Sequence, residues 1–284
     1  MKIRRAVITA AGLGTRLLPL TKTQPKEMLP VVDKPVLHWV LQEIVEAGID
    51  EVLIISRRSK YSLEDYLDYS DYHDMKNPQL FQLKELIDNV SIFYIRQYEQ
   101  RGLGDAVLRA EKFVGNEPFV LLLGDTITIP SCTKQLLQVN EMFKSKGMIA
   151  VENVPLEYVS RYGIVRGIPV ADTNDIYKIT CIVEKPSPQE APSTIAVIGR
   201  YILHPEIFAY IRKTPPGKNG ELQLTDAIAL MIKDGFPFYA YIYKGKRYDI
   251  GEKLDWLKAN VELGIEDPRI GKEFKEFLLK FLGR

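Results

Sequence analysis

Short apolar runs alternate with amphipathic segments through the first half of the chain. The apolar runs are rich in β-branched residues and predict strands at 6–9, 51–55, 91–95, 118–123 and 148–154. Between them, apolar side chains recur at helical spacing, which predicts helices at 35–47, 59–69, 79–89, 104–113 and 133–146. This alternation predicts a largely parallel sheet with helices on both faces.

The pattern changes after residue 161, where strand-like runs follow one another closely. These runs lie at 163–166, 176–184 and 194–203, and prolines punctuate their connections. Further helices are predicted at 205–213, 222–234, 252–263 and 272–281, with one more strand at 238–243. We therefore predict one α/β domain, a Rossmann-like doubly wound, mostly parallel sheet with an inserted β region and C-terminal helices. The corresponding parts of the chain are about 1–155, 156–250 and 251–284.

Composition narrows the class of protein. A hydrophobic content of 46% and a charged content of 26% over 284 residues are typical of a soluble globular protein with a sizeable core. The net charge of +1 gives no general attraction to nucleic acid or to a membrane, and no signal peptide or membrane span is predicted. Two cysteines without metal spacing and three scattered histidines predict neither a disulfide framework nor a metal cluster. We expect a cytoplasmic enzyme.

The segment at 10–30, AAGLGTRLLPLTKTQPKEMLP, carries the first candidate site. It follows the first predicted strand, and Gly12 and Gly14 allow a tight turn whose backbone N–H groups can bind an anion. Arg16 and Lys26 add two cations within the same segment. A glycine pair after a strand is often only a tight connection to a helix. With the two cations, the segment predicts a site for a nucleoside triphosphate.

Other nucleotide-binding motifs do not fit the same segment. The third glycine of a dinucleotide-binding fingerprint would fall at Leu17, and prolines at 19, 25 and 30 would break the long helix that this fingerprint opens. No acidic residue follows the strand predicted at 51–55 to bind a ribose, and the Walker sequence does not occur. Dinucleotide binding is therefore disfavoured.

Longer signatures resemble one enzyme family. GLGTR and PKEMLPVVDKP, followed in order by GLGDAV, VEKP, APSTIAVIGRYIL and GELQLTDAI, resemble the sugar-phosphate nucleotidylyltransferases over about 2–264. Ala11 and the KEMLP form at 26–30 resemble the uridylyl branch more than the thymidylyl branch. The resemblance implies transfer of a uridylyl group from UTP to glucose 1-phosphate, giving UDP-glucose and pyrophosphate. It also implies a sugar-binding middle region and a homo-oligomer.

This reaction requires a metal ion and cationic side chains, and it does not require a general acid or base. An ionised sugar phosphate is already a nucleophile, so the site must align two anions and neutralise charge. Mg²⁺ is usually held by one or two carboxylates together with substrate phosphates. Asp125, directly after the apolar run and Gly124, is the first candidate ligand. Asp249 resembles the second ligand of the family, although alone it reads as a helix N-cap. Thr126 stands where several relatives have a further acid.

The uracil base is expected to meet an amide side chain and backbone groups. Gln97 can both donate and accept hydrogen bonds, although it is equally typical of a plain surface residue. Gly102 and Gly104 would let backbone lie against the ring. The resemblance implies further backbone contacts from the glycine segment, at Ala10, Ala11, Gly12 and Gly14.

The sugar phosphate is expected at the tetrapeptide VEKP. Glu184 can accept two sugar hydroxyls and Lys185 can bind the phosphate, whereas a solvated ion pair is the ordinary reading of such a dipeptide. Because adjacent strand residues face opposite ways, a bend near Pro186 is needed to aim both at one ligand. The resemblance implies that Gly163, and by extension Gly199, lets backbone approach the hexose.

Three alternatives stay open at this point. Within the same class, a thymidylyltransferase or a dual UTP/dTTP enzyme acting on glucose 1-phosphate fits the same signatures. In another class, a non-catalytic regulatory subunit would bind sugar nucleotides without turnover, but it would have no need of Arg16, Lys26, Asp125 and Lys185 together. For the last predicted helix, core packing of its apolar residues is the first interpretation and a subunit contact the second. These residues are Phe274, Phe277, Leu278 and Phe281.

Overall fold

The computed structural model describes residues 2–68, 77–143 and 145–283. The strands are β1 (Arg5–Thr9), β2 (Pro30–Val31), β3 (Lys34–Pro35), β4 (Glu51–Ser56), β5 (Ser91–Arg96), β6 (Phe119–Leu123), β7 (Thr126–Ile129), β8 (Gly147–Asn153), β9 (Gly163–Pro169), β10 (Ile176–Glu184), β11 (Ile195–Leu203), β12 (Phe238–Ile242) and β13 (Lys246–Asp249). The α-helices are α1 (Val36–Glu46), α2 (Tyr61–Leu67), α3 (Pro78–Asp88), α4 (Leu103–Leu108), α5 (Glu111–Val114), α6 (Cys132–Met142), α7 (Glu206–Lys213), α8 (Leu224–Lys233), α9 (Lys253–Glu266) and α10 (Gly271–Phe281).

Nine of these strands form one sheet in the order β5-β4-β1-β6-β11-β8-β12-β10-β9. The strands β5, β4, β1 and β6 run parallel, as do β8 and β12. β11 and β10 run antiparallel to the strands they pair with. The predicted α/β architecture is confirmed, and the β region predicted as an insertion continues the main sheet.

Two apolar layers lie on the two faces of this sheet. In β1, Ala6 and Ile8 belong to one buried cluster, which includes the apolar face of α1. Val7 points to the other cluster, which includes the apolar face of α8. Because successive strand residues point to opposite faces, the sheet needs helices on both sides to bury an entirely apolar strand.

Several details differ from the sequence-based prediction. The helix predicted at 104–113 is two short helices, α4 and α5. The small sheet formed by β7 and β13 was not predicted, because its strands are four residues long and far apart in the chain. In α10, Phe277 and Phe281 are exposed, so core packing was wrong for these two rings. The predicted polar turn at 71–78 lies almost wholly outside the described residues, as do His73, Lys144 and Arg284.

Within the described part of the chain, no helix is both long and apolar enough to span a bilayer.

Candidate functional site

The glycine segment begins at the carboxyl end of β1. Gly14 has a φ of 68°, a left-handed conformation that favours glycine, and the Thr21 hydroxyl donates to its carbonyl at 2.7 Å. Three successive 3₁₀ helices follow in place of a long α-helix, at Thr15–Leu17, Leu20–Lys22 and Lys26–Met28. The prolines interrupt the segment as predicted, and the first and third 3₁₀ helices carry Arg16 and Lys26.

A charged ring, formed by Arg16, Lys26, Asp125, Asp249 and Glu252, lies beside this segment. The Lys26 ammonium contacts the Asp125 carboxylate, and the Arg16 guanidinium contacts Glu252. Arg16 also lies 4.0 Å from an oxygen of Asp249. The arrangement brings together both predicted metal ligands and both predicted catalytic cations.

The pairing of β7 with β13 explains how the two aspartates meet. Asp249 pairs with Thr126, directly after Asp125, and the Ile250 amide donates to the Asp125 carbonyl at 2.9 Å. A Cβ on Gly251 would lie 2.9 Å from Asp249 Oδ1 and 3.4 Å from Asp125 Oδ2. Both carboxylates therefore converge on one point. The Asp249 carboxylate also accepts from the Gly251 amide at 2.9 Å, which fixes its direction.

Their surroundings shift the pKa values of the two carboxyl groups in opposite directions. Burial tends to raise the pKa of Asp125, but the Lys26 ammonium in contact with it, helped by Arg16, holds that pKa below its usual range. Burial and the negative charge of Asp125 raise the pKa of Asp249, and Arg16 and Arg247 offset this only in part. Asp249 therefore bears most of the repulsion within the pair.

Two converging carboxylates fit a cation that completes its shell with water and phosphate oxygens. No group of three or more histidine, cysteine or acidic side chains arranged to hold a metal ion occurs in the ranges the structure describes. A closed structural metal site needs about four protein ligands, so it does not match this donor set. A Mg²⁺ site with one or two carboxylates does.

A first cavity, of about 430 Å³, opens between the glycine segment and α4, and we call it the nucleotide cavity. Gln97 lines it, and its amide nitrogen donates to Asp105 at 2.8 Å and to the Gly102 carbonyl at 3.2 Å. Both donors of this amide are therefore used inside the protein. Its carbonyl oxygen is left to accept a hydrogen bond from a ligand.

Of the other residues predicted to contact the base, some line the nucleotide cavity and some do not. Ala11, Gly12, Gly14 and Gly102 line the nucleotide cavity. The structure does not bring Ala10 there, because its amide donates to Ile55 and its carbonyl accepts from Lys60. A Cβ on Gly102 or Gly104 would lie 2.7 Å from the Leu222 carbonyl. These two glycines thus allow close contact with a neighbouring loop, and their place beside a base stays a prediction.

A second cavity, of about 640 Å³, is the sugar cavity, and it is lined by all four predicted sugar-phosphate residues, Gly163, Glu184, Lys185 and Gly199. Lys185 has a φ of 44°, and its amide donates to the Tyr162 carbonyl at 3.0 Å. This left-handed residue is the predicted bend, because it lets Glu184 and Lys185 line the same cavity. The Thr225 hydroxyl orients Glu184 through a hydrogen bond of 2.7 Å.

Two residues at the site, Arg247 and Glu252, were not predicted from the sequence. Arg247 donates to Glu152 at 2.7 Å and to the Tyr162 hydroxyl at 3.2 Å, and it lines the sugar cavity. Despite burial, the charge of Glu152 raises its pKa above the usual range. Arg247 is two residues before Asp249, so the alternation of a strand would have placed both on one face, had β13 been recognised.

A buried pair, Glu43 and Arg200, lies beneath the charged ring. Arg200 is fully buried and contacts Glu43 at 2.7 Å. It also donates to the carbonyls of Leu123 and Thr126, at 3.2 and 2.7 Å, on either side of the Gly124–Asp125 turn. Glu43 accepts from the hydroxyls of Thr128 and Thr133 at 2.8 and 2.6 Å. The pair therefore fixes the backbone that presents Asp125.

The chain is similar in sequence to known proteins over nearly its whole length. Residues 5–265 match the nucleotidyl transferase family. The chain is 43% identical to a UTP–glucose-1-phosphate uridylyltransferase of Bacillus subtilis, with 98% of this chain and 95% of that one covered. It is also 43% identical to UTP–glucose-1-phosphate uridylyltransferase 2 of Streptococcus pyogenes, with 98% and 96% covered.

Solved structures of similar sequence have the same fold. A crystal structure of UDP-glucose pyrophosphorylase complexed with UDP-glucose superimposes with a TM-score of 0.87 at 42% identity, covering 93% of this chain and 100% of that one. A UTP-bound UGPase from Acinetobacter baumannii superimposes with a TM-score of 0.85 at 37% identity, covering 98% and 99%.

Proposed function

Because this chain belongs to the nucleotidyl transferase family, we propose that it transfers a uridylyl group from UTP to glucose 1-phosphate. The products are UDP-glucose and pyrophosphate. One observation carries the proposal most directly: the nucleotide cavity and the sugar cavity share Arg16, Asp125 and Lys185 in their walls. Two anionic substrates bound in these cavities would meet beside two cations and a carboxylate.

The nucleotide cavity suits a uracil base and the phosphates that follow it. The free carbonyl oxygen of Gln97 is an acceptor for the N3–H of uracil. Backbone at Gly12 and Gly14 and the side chains of Arg16 and Lys26 bind the phosphates. Lys26 and Arg16 exchange their contacts with Asp125 and Glu252 for contacts with the more highly charged triphosphate.

The sugar cavity suits the second substrate. Glu184 accepts from the hydroxyls of the hexose, held in direction by Thr225, and Lys185 binds the 1-phosphate. An oxygen of that phosphate attacks the α-phosphorus of UTP. The bond from the α-phosphorus to the oxygen bridging to the β-phosphorus breaks, its electron pair stays on that oxygen, and pyrophosphate leaves. No general base is required, because the attacking oxygen is already ionised.

Asp125 and Asp249 are the residues we propose to hold Mg²⁺. When bound, Mg²⁺ supplies positive charge to the phosphate oxygens as negative charge redistributes. Burial and the charge of Asp125 raise the pKa of Asp249, and a cation bound between the two carboxylates would relieve this repulsion.

Pyrophosphate release by the purified protein tests this function. With UTP, glucose 1-phosphate and Mg²⁺ we expect steady turnover, and Asp125→Asn is expected to reduce it by at least about 100-fold. Equal or greater turnover with dTTP would favour the thymidylyl or dual-specificity alternative, since the two bases differ by one methyl group worth about 1–3 kcal/mol. Tight UDP-glucose binding with no release would favour the regulatory alternative.

The same assay with galactose and mannose 1-phosphates defines the hexose preference. The cytoplasmic location and the homo-oligomeric assembly stay predictions. Light scattering during size-exclusion chromatography measures the number of subunits. Phe277 and Phe281 are exposed, and their rings stack with centroids 6.1 Å apart. Contact with a second subunit would cover these two rings.

A further inference from the structure

The side chain of Asp105, in the first turn of α4, lies against Gln97 in the interior of the protein. Asp105 is 2% exposed and Gln97 is 3% exposed. One carboxylate oxygen of Asp105, Oδ1, accepts hydrogen bonds from Arg101 at 3.0 Å and from Arg109 at 3.1 Å. The other oxygen, Oδ2, accepts from the amide nitrogen of Gln97 at 2.8 Å. The arginines therefore hold one side of this carboxylate and leave the other side for Gln97.

The groups around the amide nitrogen of Gln97 determine how this amide is oriented. The nitrogen lies 2.8 Å from the Asp105 carboxylate and 3.2 Å from the Gly102 carbonyl, and both groups accept hydrogen bonds but donate none. In the reverse orientation, the amide oxygen would face these two oxygens with no proton between them, and buried polar groups left unpaired are costly. The nitrogen therefore points into the protein, and the oxygen Oε1 points towards the nucleotide cavity.

Backbone contacts hold Gln97 and Asp105 in place. The Gln97 N–H donates to the carbonyl of Ser56, at the end of β4, at 2.8 Å. The N–H of Gly104, next to Asp105, donates to the Leu222 carbonyl at 2.8 Å. Within the described ranges, Oε1 of Gln97 has no hydrogen-bond partner, and it is not enclosed. The amide thus offers a fixed acceptor, and no donor, to a base in the nucleotide cavity.

A fixed acceptor distinguishes uracil from cytosine, which have nearly the same size and shape. Uracil has a proton on N3, so its N3–H can donate to Oε1 of Gln97. Cytosine has a lone pair on N3, so the same position would bring two acceptors together. Sites built to bind an N–H group of a substrate strongly reject an analogue that lacks it. Thymine keeps the N3–H and is not rejected in this way.

We propose that Asp105 is a positioning residue for base selection: by orienting the amide of Gln97, it makes the nucleotide cavity accept uracil and thymine and reject cytosine. Asp105 does not line that cavity, so it acts only through Gln97. Base selection of this kind rests on the proposed function, because it concerns which triphosphate reacts. A purely structural role for Asp105, as an acid in the first turn of α4, would affect all triphosphates alike.

The substitution Asp105→Asn reverses this hydrogen bonding with almost no change in size. Arg101 and Arg109 both donate to the position of Oδ1, so they should hold the oxygen of the new amide there and turn its NH2 group towards Gln97. Gln97 must then turn its own oxygen inwards and present its NH2 group to the base. Such an amide matches N3 of cytosine and opposes the N3–H of uracil.

Pyrophosphate release with different triphosphates measures the effect. For the wild-type protein we expect kcat/KM for UTP to exceed that for CTP at least about 100-fold, and Asp105→Asn should lower this UTP to CTP ratio at least about tenfold. The corresponding ratio of UTP to dTTP should change by less than about twofold, because both bases carry the N3–H that meets Gln97.

Two controls separate base selection from general damage to the site. Arg101→Met removes one hydrogen bond from the same carboxylate and leaves Oδ2 facing Gln97, so its UTP to CTP ratio should stay within about threefold of the wild-type value. In protein that carries Gln97→Leu, the further change Asp105→Asn should leave the ratio unchanged, because the amide through which it acts is absent. A ratio that falls equally with and without the Gln97 amide would overturn the proposal.

Two results on the wild-type protein would overturn the proposal even if Asp105→Asn did not fold. One is a kcat/KM for CTP within about tenfold of that for UTP. The other is unprotected solvent exchange of the Nε2 protons of Gln97, measured by NMR, since hydrogen bonds to Asp105 and Gly102 should make this exchange slow. In an Asp105→Asn protein that circular dichroism shows to be folded, a UTP to CTP ratio within about twofold of the wild-type value would overturn it as well.

Calorimetry separates this result from the proposed function. UTP and CTP are titrated into the wild-type protein and Asp105→Asn with Mg²⁺ but without glucose 1-phosphate, and we expect the same preference for UTP and the same reduction in the variant. Wild-type protein that binds UTP in preference to CTP but releases no pyrophosphate would contradict the proposed function and support the orientation of Gln97. Protein that turns over UTP and CTP equally would contradict only the role of Asp105.

Discussion

The buried pair and the charged ring are two groups of charges joined by a short stretch of backbone, and they are built differently. In the buried pair, Arg200 is 0% exposed and Glu43 is 3% exposed, and threonine hydroxyls and backbone carbonyls supply further hydrogen bonds to them. In the charged ring, the Arg16 side chain is 52% exposed, and each ion pair faces a cavity. Both groups contain opposite charges in contact, yet only one can exchange its partners for a ligand.

The difference shows that one group of charges stabilises the backbone, whereas the other is available to bind ligands. Charges taken out of water are costly unless their polar atoms find hydrogen-bond partners, and each guanidinium nitrogen of Arg200 and each carboxylate oxygen of Glu43 has at least one. The charged ring leaves repulsion between Asp125 and Asp249, and the side chain of Arg16 stays in reach of solvent. The first group therefore contributes to stability by holding the backbone, and the second remains ready to bind a polyanion and a cation.

The largest effect is expected from breaking the buried pair. Arg200→Met keeps much of the side-chain volume but leaves Glu43 buried without its counterion, which should lower the free energy of unfolding by about 3–5 kcal/mol. Denaturant unfolding followed by circular dichroism measures this. The double substitution Glu43→Gln with Arg200→Met should recover part of the loss. A loss below about 1 kcal/mol in the single variant would mean that the pair is not the support we describe.

Breaking the charged ring should affect turnover more than stability. Lys26→Met removes a cation from the α-phosphorus and should lower kcat by about 1,000-fold. The free energy of unfolding should change by less than about 2 kcal/mol, because Lys26 lies at the cavity and the charge of Arg16, which also lowers the pKa of Asp125, remains. Steady-state kinetics and denaturant unfolding of the same preparation give the two numbers. Turnover close to the wild-type value would remove Lys26 from the mechanism.

A smaller change tests the convergence of the ring at Gly251. The Cβ of Gly251→Ala would lie 2.7 Å from the Arg16 guanidinium and 2.9 Å from Asp249 Oδ1, so both side chains must move. A displacement of this size should reduce kcat by about 10- to 100-fold, with stability nearly unchanged. Gly220→Ala is the matched control for general effects of adding a methyl group near the sugar cavity, because a Cβ there meets nothing within 4 Å, although its φ of 73° adds backbone strain. Equal activity in wild type and Gly251→Ala would contradict a tight ring.

The smallest expected change in the free energy of unfolding comes from Asp249 in the charged ring, and its sign is opposite to that for Glu43 in the buried pair. The pKa of Asp249 is raised in the folded protein, so its ionisation at neutral pH costs stability, and the cost disappears as pH falls through that pKa. Asp249→Asn should therefore increase the free energy of unfolding near pH 7 by about 1 kcal/mol while abolishing turnover. The gain should shrink towards pH 4, because the unfolded carboxyl titrates near 3.9.

Glu43 provides the contrast for this pH dependence. Arg200 outweighs burial and lowers the pKa of Glu43, so its contribution to stability is present above its unfolded pKa and is lost as pH falls through the folded value. Glu43→Gln should therefore destabilise the protein at neutral pH, and less so in acid. Unfolding curves from pH 4 to pH 8 measure both variants. A stabilising Glu43→Gln, or a destabilising Asp249→Asn, would reverse the comparison between the two groups.

Much of the site could be predicted because its signals are local. The glycine segment, the aspartate that ends an apolar strand and the bend at Lys185 each follow from a few neighbouring residues and their backbone preferences. Arg200 also left a signal, as a single charge within the apolar run IAVIGRYIL, but nothing in the sequence identified Glu43 as its partner.

By itself, the sequence determined the alternation of strands and helices, the turn at Gly12–Gly14 and the positions of the candidate cations and carboxylates along the chain. These depend on side-chain periodicity and on local conformational preference, which act over a few residues. Only the tertiary structure decided that Asp249 meets Asp125 through the pairing of β13 with β7, that Arg200 contacts Glu43, and that the nucleotide and sugar cavities share part of their walls. Those outcomes depend on contacts between distant segments, and electrostatic interactions are set by separation in space, on which the spacing of residues along the chain gives no information.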